Sequence, residues 1–157
     1  LKMSPVAMRD GRALRIPTSA LIEESLRNHL CLYALRTEHG KAFHLGTIVR
    51  TMFASFFLFE AGYGSGDTSI FSEADDKFTS LALNTKPDAS FNLRADAVSP
   101  TARLLALYDT QLQMAPVLSL ADAHRKAGNN LRAAPQEQLS ITALIQRAKR
   151  RNPIERR

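Results

Sequence analysis

A chain of 157 residues with 45% apolar side chains can bury one core of ordinary size, which excludes a disordered segment and a small disulfide-stapled domain. The single Cys31 excludes an internal disulfide and suits a reducing cytoplasm. The net charge of +6 sits at the two ends: Lys2, Arg9, Arg12 and Arg15 against Asp10 within 1–16, and Arg147, Lys149, Arg150, Arg151, Arg156 and Arg157 against Glu155 within 145–157, while the body between is slightly acidic.

These ends set the expected organisation. Residues 1–10 read as a flexible N-terminal arm, 11–144 as a single helical domain and 145–157 as a basic C-terminal tail. The opening LKMSPVAM lacks the apolar core of a signal peptide. The expected fold class is mainly α, with one short strand followed by about five helices and a dimeric assembly. The strand is RALRI, residues 12–16, where Leu14 and Ile16 alternate with Ala13 and Arg15 between Gly11 and Pro17.

Thr18 or Ser19 then caps a first helix over about 19–37. Leu21, Ile22, Leu26, Leu30, Tyr33 and Ala34 share one face and are expected in the core, and Gly40 is the expected stop. The second helix runs from Gly46 to about 61. Its apolar run, Ile48 to Phe59, is punctuated by Arg50, Thr51 and Ser55 and is shorter than the roughly 20 residues a membrane span needs, so a buried or interfacial helix is expected. The AGYGSGD that follows is a flexible loop. It is not a nucleotide loop, because its glycines follow a helix and no Lys-Ser or Lys-Thr pair comes after them.

Ser72 with Asp75 resembles a capping box for a short helix over about 73–83, with Phe78, Leu81 and Ala82 inward. NTKPDASFNLRADAVSP is a mobile connector. Ser99-Pro100 starts the next helix, which carries Leu104, Leu107, Tyr108, Leu112 and Ala115 as an apolar stripe. Pro116 breaks or kinks that helix, Ser119 with Asp122 restarts it and Gly128-Asn129 ends it. A last helix over about 137–150 leads into the arginines of the tail.

No catalytic constellation emerges from this order. His29, Cys31, His39 and His44 have no ligand-pair spacing, so no metal is expected. Asp75 and Asp76 are adjacent and point apart on a helix, and there is no Gly-x-Ser-x-Gly elbow. The chain is read as no enzyme and without a cofactor.

Taken together, RALRI (Arg12 to Ile16) and GTIVRTMF (Gly46 to Phe53) give the first third an order of strand, helix, turn, helix. That order resembles the ribbon-helix-helix family of bacterial regulators and plasmid accessory proteins, over residues 11–62 only. The resemblance implies that two chains pair their strands and lay the ribbon in the major groove. Arg15 would then face base edges, Arg12 would contact phosphate or frame the ribbon, and the amides at Gly46, Thr47 and Ile48 would seat a phosphate with Arg50 assisting. Helix one is longer and the strand has fewer outward polar residues than that family's pattern. Phe53, Phe56, Phe57 and Phe59 surround helix two, more than one core stripe needs, and are the expected interface with a second copy or another protein.

The expected function is a cytoplasmic DNA-binding homodimer, a transcriptional regulator or mobile-element accessory factor. Arg12, Arg15, Thr47 and Arg50 would form its specific site, and Arg147, Lys149, Arg150 and Arg151 would add general phosphate affinity. The competing expectation is a helical adaptor or assembly subunit that uses the Phe-rich helix and binds no nucleic acid.

Overall fold

The computed structural model describes residues 14–151. Among these there are six helices and no strand: α1 Thr18–Leu35, α2 Ala42–Glu60, α3 Ser69–Asn84, α4 Ala95–Met114, α5 Val117–Arg132 and α6 Ile141–Arg151. The expected strand is therefore corrected over its described part. Leu14 to Pro17 form an irregular lead-in, and the Leu14 carbonyl accepts a bond from the Val117 amide at 2.8 Å, at the start of α5. An isolated strand has no ladder to satisfy its backbone, and here part of that role passes to a helix N-terminus.

α2 is the central helix, packed by α1, α3, α4 and α5, while α6 docks on α3. It is long and apolar enough to cross a membrane by length and composition, with mean hydropathy 1.4 over its best window, but half of that window is buried inside the fold. It starts at Ala42, one turn before the expected Gly46. The local reason is His44, whose Nδ1 accepts the Lys41 amide at 2.9 Å and closes the first turn. Gly46 thus falls inside the helix.

α1 turns the expected face outward. Asn28, Cys31, Leu32 and Leu35 are buried, whereas Ile22, Leu26, Leu30 and Tyr33 stand in water. Both faces are apolar at helical spacing. The inward one carries the shorter Asn28 and Cys31, and the Asn28 side-chain carbonyl accepts the Thr51 hydroxyl of α2 at 3.0 Å.

The α1–α2 turn is held by the chain that was expected to be mobile. Phe91 and Leu93 are buried; the Phe91 amide donates to the Gly40 carbonyl at 3.0 Å and the Leu93 amide to the Leu35 carbonyl at 2.6 Å. Gly40 is needed because a Cβ there would overlap the Phe91 carbonyl.

After α2, Gly62, Gly64 and Gly66 all take positive φ, and the loop is pinned by Gln111 of α4. That fully buried amide donates to the carbonyls of Ser55 and Tyr63, each at 3.0 Å, and accepts the Ser55 hydroxyl at 2.7 Å.

Two helix starts also move. α3 opens at Ser69, whose amide donates to Asp67 Oδ1 at 2.7 Å, so Ser72 is not its cap; Phe71, Ala74 and Phe78 face inward and Ala82 does not. α4 opens at Ala95 and runs through Pro100, with Asp96 favourably placed in its first turn and the Thr101 hydroxyl donating to the Ala97 carbonyl at 2.8 Å. Pro116 does separate α4 from α5. Gly128 does not end α5, which continues to Arg132. α6 begins at Ile141 after Ser140 Oγ accepts the Ala143 amide at 3.2 Å, and the boundary expected at 145 falls within it, since Ile141, Leu144 and Ile145 are all buried.

Candidate nucleic-acid interface

Of the expected DNA contacts, Arg12 lies outside the described residues. Arg15 is exposed in the lead-in to α1. Thr47 is in the second turn of α2, and its hydroxyl donates to the Phe43 carbonyl at 3.0 Å. Its amide is inside the helix, where the ladder already uses it, so Gly46-Thr47 is not a helix N-terminus open to phosphate. Arg50, one turn further on, is exposed.

What stands beside Arg50 comes from far along the chain. A Cβ added to Gly128 of α5 would meet one guanidinium nitrogen of Arg132 at 3.3 Å and one of Arg50 at 3.6 Å. Those nitrogens are thus within about 7 Å of each other, where two like charges cost on the order of 1 kcal/mol in a surface dielectric. Among the described residues neither meets a carboxylate; Arg132 has only the Asn129 side-chain oxygen at 3.3 Å. The missing side chain at Gly128 is what lets the two cations share this space.

The cluster extends toward α1 and α4. Tyr108 is fully buried, and its hydroxyl lies 2.6 Å from His124 Nε2. Burial pushes the phenol pKa far up; the same desolvation, aided by the positive charges of Arg50 and Arg27, pushes the His124 imidazole down. Both shifts favour the uncharged forms, so the hydrogen bond joins two neutral rings, its direction set by the imidazole tautomer. Arg27 completes the group on α1 and is itself paired with Glu24. On the neighbouring surface His29 Nε2 lies 2.8 Å from Asp109 Oδ2.

A second basic surface is the end of α6. Arg147, Lys149, Arg150 and Arg151 are exposed, and the last three occupy the final turn, where cations suit the helix dipole. Arg151 and Lys126 both act on Glu60 at the end of α2, but burial is the stronger influence and raises that carboxyl.

The four phenylalanines are taken up within the chain. Phe53 and Phe56 are buried, and Phe57 and Phe59 pack partly buried against the core. Phe71 of α3 meets Phe56 edge-on at 5.4 Å and Phe59 at 5.5 Å between centroids, and Lys126 of α5 lies 5.8 Å from the Phe57 centroid. Neighbouring helices of the same chain thus surround α2.

His44 serves as a helix cap and Cys31 is buried, with its thiol pushed up by desolvation. Among the described residues no three His, Cys, Asp or Glu side chains are grouped to hold a metal ion. The sequence reading singled out none of Arg27, His124 and Arg132. Arg132 follows Gly128 at one helical turn, but only the packing of α5 on α2 brings Arg50 to it. No family model, curated protein or solved structure matches this chain.

Proposed function

We propose that this chain binds duplex DNA through its phosphates, with Arg50 and Arg132 as the seat and the end of α6 as a second, general contact. The observation that carries the reading is the convergence of two guanidiniums over Gly128 with no acidic partner among the described residues. An anion between them removes their repulsion and replaces it with charge-assisted hydrogen bonds. Both arginines are exposed, which suits a backbone phosphate reached from outside better than an enclosed small ligand. A role as a transcriptional regulator or mobile-element accessory factor follows from such binding. Contacts of Arg15 with base edges and of Arg12 with phosphate remain proposed, without a ribbon in the described residues.

The test is a titration of random duplex DNA at several salt concentrations. Neutralising four phosphates with Arg147, Lys149, Arg150 and Arg151 gives a log–log slope near −3.6 by the usual relation, and the one phosphate shared by Arg50 and Arg132 adds about −0.9. The double variant Arg50→Ala/Arg132→Ala should lose about 0.9 units of slope while melting like the parent. Absence of salt-dependent binding by the parent chain refutes the function, and an unchanged slope in the double variant refutes the seat. The competing adaptor reading rests on the Phe-rich helix, and it expects no shift of DNA at any salt.

A further inference from the structure

The outward face of α1 is the least explained surface of the fold. Ile22, Leu26, Leu30 and Tyr33 follow one another at spacings of four, four and three, so they form one stripe along the helix. Each is more than half exposed, from 55% for Leu26 to 65% for Tyr33. With about 100 Å² of each aliphatic side chain and somewhat more of the tyrosine in water, the stripe leaves on the order of 450 Å² of apolar surface, within the size range of the largest patches on monomers, which are often functional. It lies opposite the face that packs on the core, so no rearrangement of the described helices would bury it without unpacking Leu32 and Leu35.

We infer that this stripe is where a second copy of the chain docks, with the two α1 helices antiparallel. Area is the first argument. Two stripes facing each other remove about 900 Å², and their flanking side chains bring the total toward the roughly 1,200 Å² at which specific interfaces begin. Charge is the second. Glu23 and Arg27 are exposed, carry opposite signs and lie one turn apart on the same flank of the stripe, Arg27 also being paired with Glu24 of its own chain. A two-fold axis between antiparallel helices sets like flank against like flank, so Glu23 of each copy lies on the same seam as Arg27 of the other, about five residues or roughly 7.5 Å along the axis from it when the two stripes overlap fully. Parallel helices would instead set that flank against the one carrying His29 and Arg36. The stripe itself carries no charge, so the overall positive charge of the chain does not oppose the contact there.

This assembly does not depend on DNA binding, and its test uses the protein alone. Sedimentation velocity at concentrations up to the order of 100 μM should show a species of twice 17.4 kDa, and Leu26→Glu/Leu30→Glu should sediment at the single mass with unchanged helical circular dichroism. Both positions are exposed, so the variant tests the interface and leaves the core intact. Glu23→Arg should weaken dimerisation by about tenfold and Glu23→Arg/Arg27→Glu should restore most of that loss. A parent chain that remains a monomer throughout the range overturns the inference. So does a dimer that survives the double glutamate substitution, which would place the interface elsewhere; failure of the charge swap to restore association overturns the antiparallel order.

Discussion

Replacing Gly40 by alanine should be the most damaging single-methyl change in this chain. The residue is buried between α1 and α2, and an added Cβ would fall inside the Phe91 carbonyl, 2.9 Å from its carbon and 3.2 Å from Leu35 Cα. All three obstacles are backbone atoms, so no rotamer change relieves them. The 91–93 segment must move by on the order of 1 Å or more, and packed interiors do not absorb that. The move breaks the Phe91–Gly40 and Leu93–Leu35 hydrogen bonds and strains the two that Ser90 Oγ donates, to the Glu38 carbonyl at 2.6 Å and the Gly40 carbonyl at 3.2 Å. Two lost backbone bonds cost about 2 kcal/mol. Partial exposure of Phe91 and Leu93, each worth about 1.5–3 kcal/mol when fully buried, adds about 2 kcal/mol. The total, about 4 kcal/mol, lowers the melting temperature of a domain this size by about 8–16 °C. Urea titration with thermal melts measures the loss, and hydrogen exchange at the Leu93 amide should accelerate with it. A loss under about 1 kcal/mol with that amide still protected would refute the account of how the connector is anchored.

Gly46→Ala should act in the opposite sense: nothing lies within 4 Å of the added Cβ and the residue is inside α2, so stability should rise by about 0.5–1 kcal/mol in the same titration. A decrease would mean that α2 begins later than Ala42. The His124 imidazole has its pKa lowered below 6.5 by burial first and then by Arg50 and Arg27, so below 6.5 the unfolded chain binds more protons than the folded one. Stability should therefore fall as pH drops from about 7 toward the folded pKa of His124, and His124→Gln should flatten that part of the profile. Glu60 and Asp75, raised by burial, act in the opposite sense, but both chains share them, so the difference between parent and variant isolates His124; an equal slope in both chains would refute the assignment.

Local chemistry in the sequence was enough to indicate a mainly helical chain and several of its breaks. Pro116 cannot continue the ladder of α4, and the glycines after Glu60 supply positive φ where α2 must turn back; both effects act within a few residues. Helix starts were less legible. His44 is an unusual cap, and Ala95 to Ser99 are helical ahead of a proline that can itself open a helix. The short strand suggested by RALRI alternates over too few residues to compel pairing, and Leu14 bonds to Val117 instead.

Tertiary packing decided the orientation of α1 and the composition of the candidate site. Leu21, Leu32 and Leu35 on one face and Ile22, Leu26, Leu30 and Tyr33 on the other each have helical spacing, and periodicity reports a face without saying which neighbour it meets. Asn28 meeting Thr51 marks the choice. Arg50 was legible as a cation on an apolar helix, whereas its partner Arg132 lies far along the chain and comes close only because α5 packs on α2 with no side chain at Gly128. Helix formation depends on near neighbours in sequence and could be read there; the shared space above Gly128 depends on how two distant helices pack, and only the folded chain contains it.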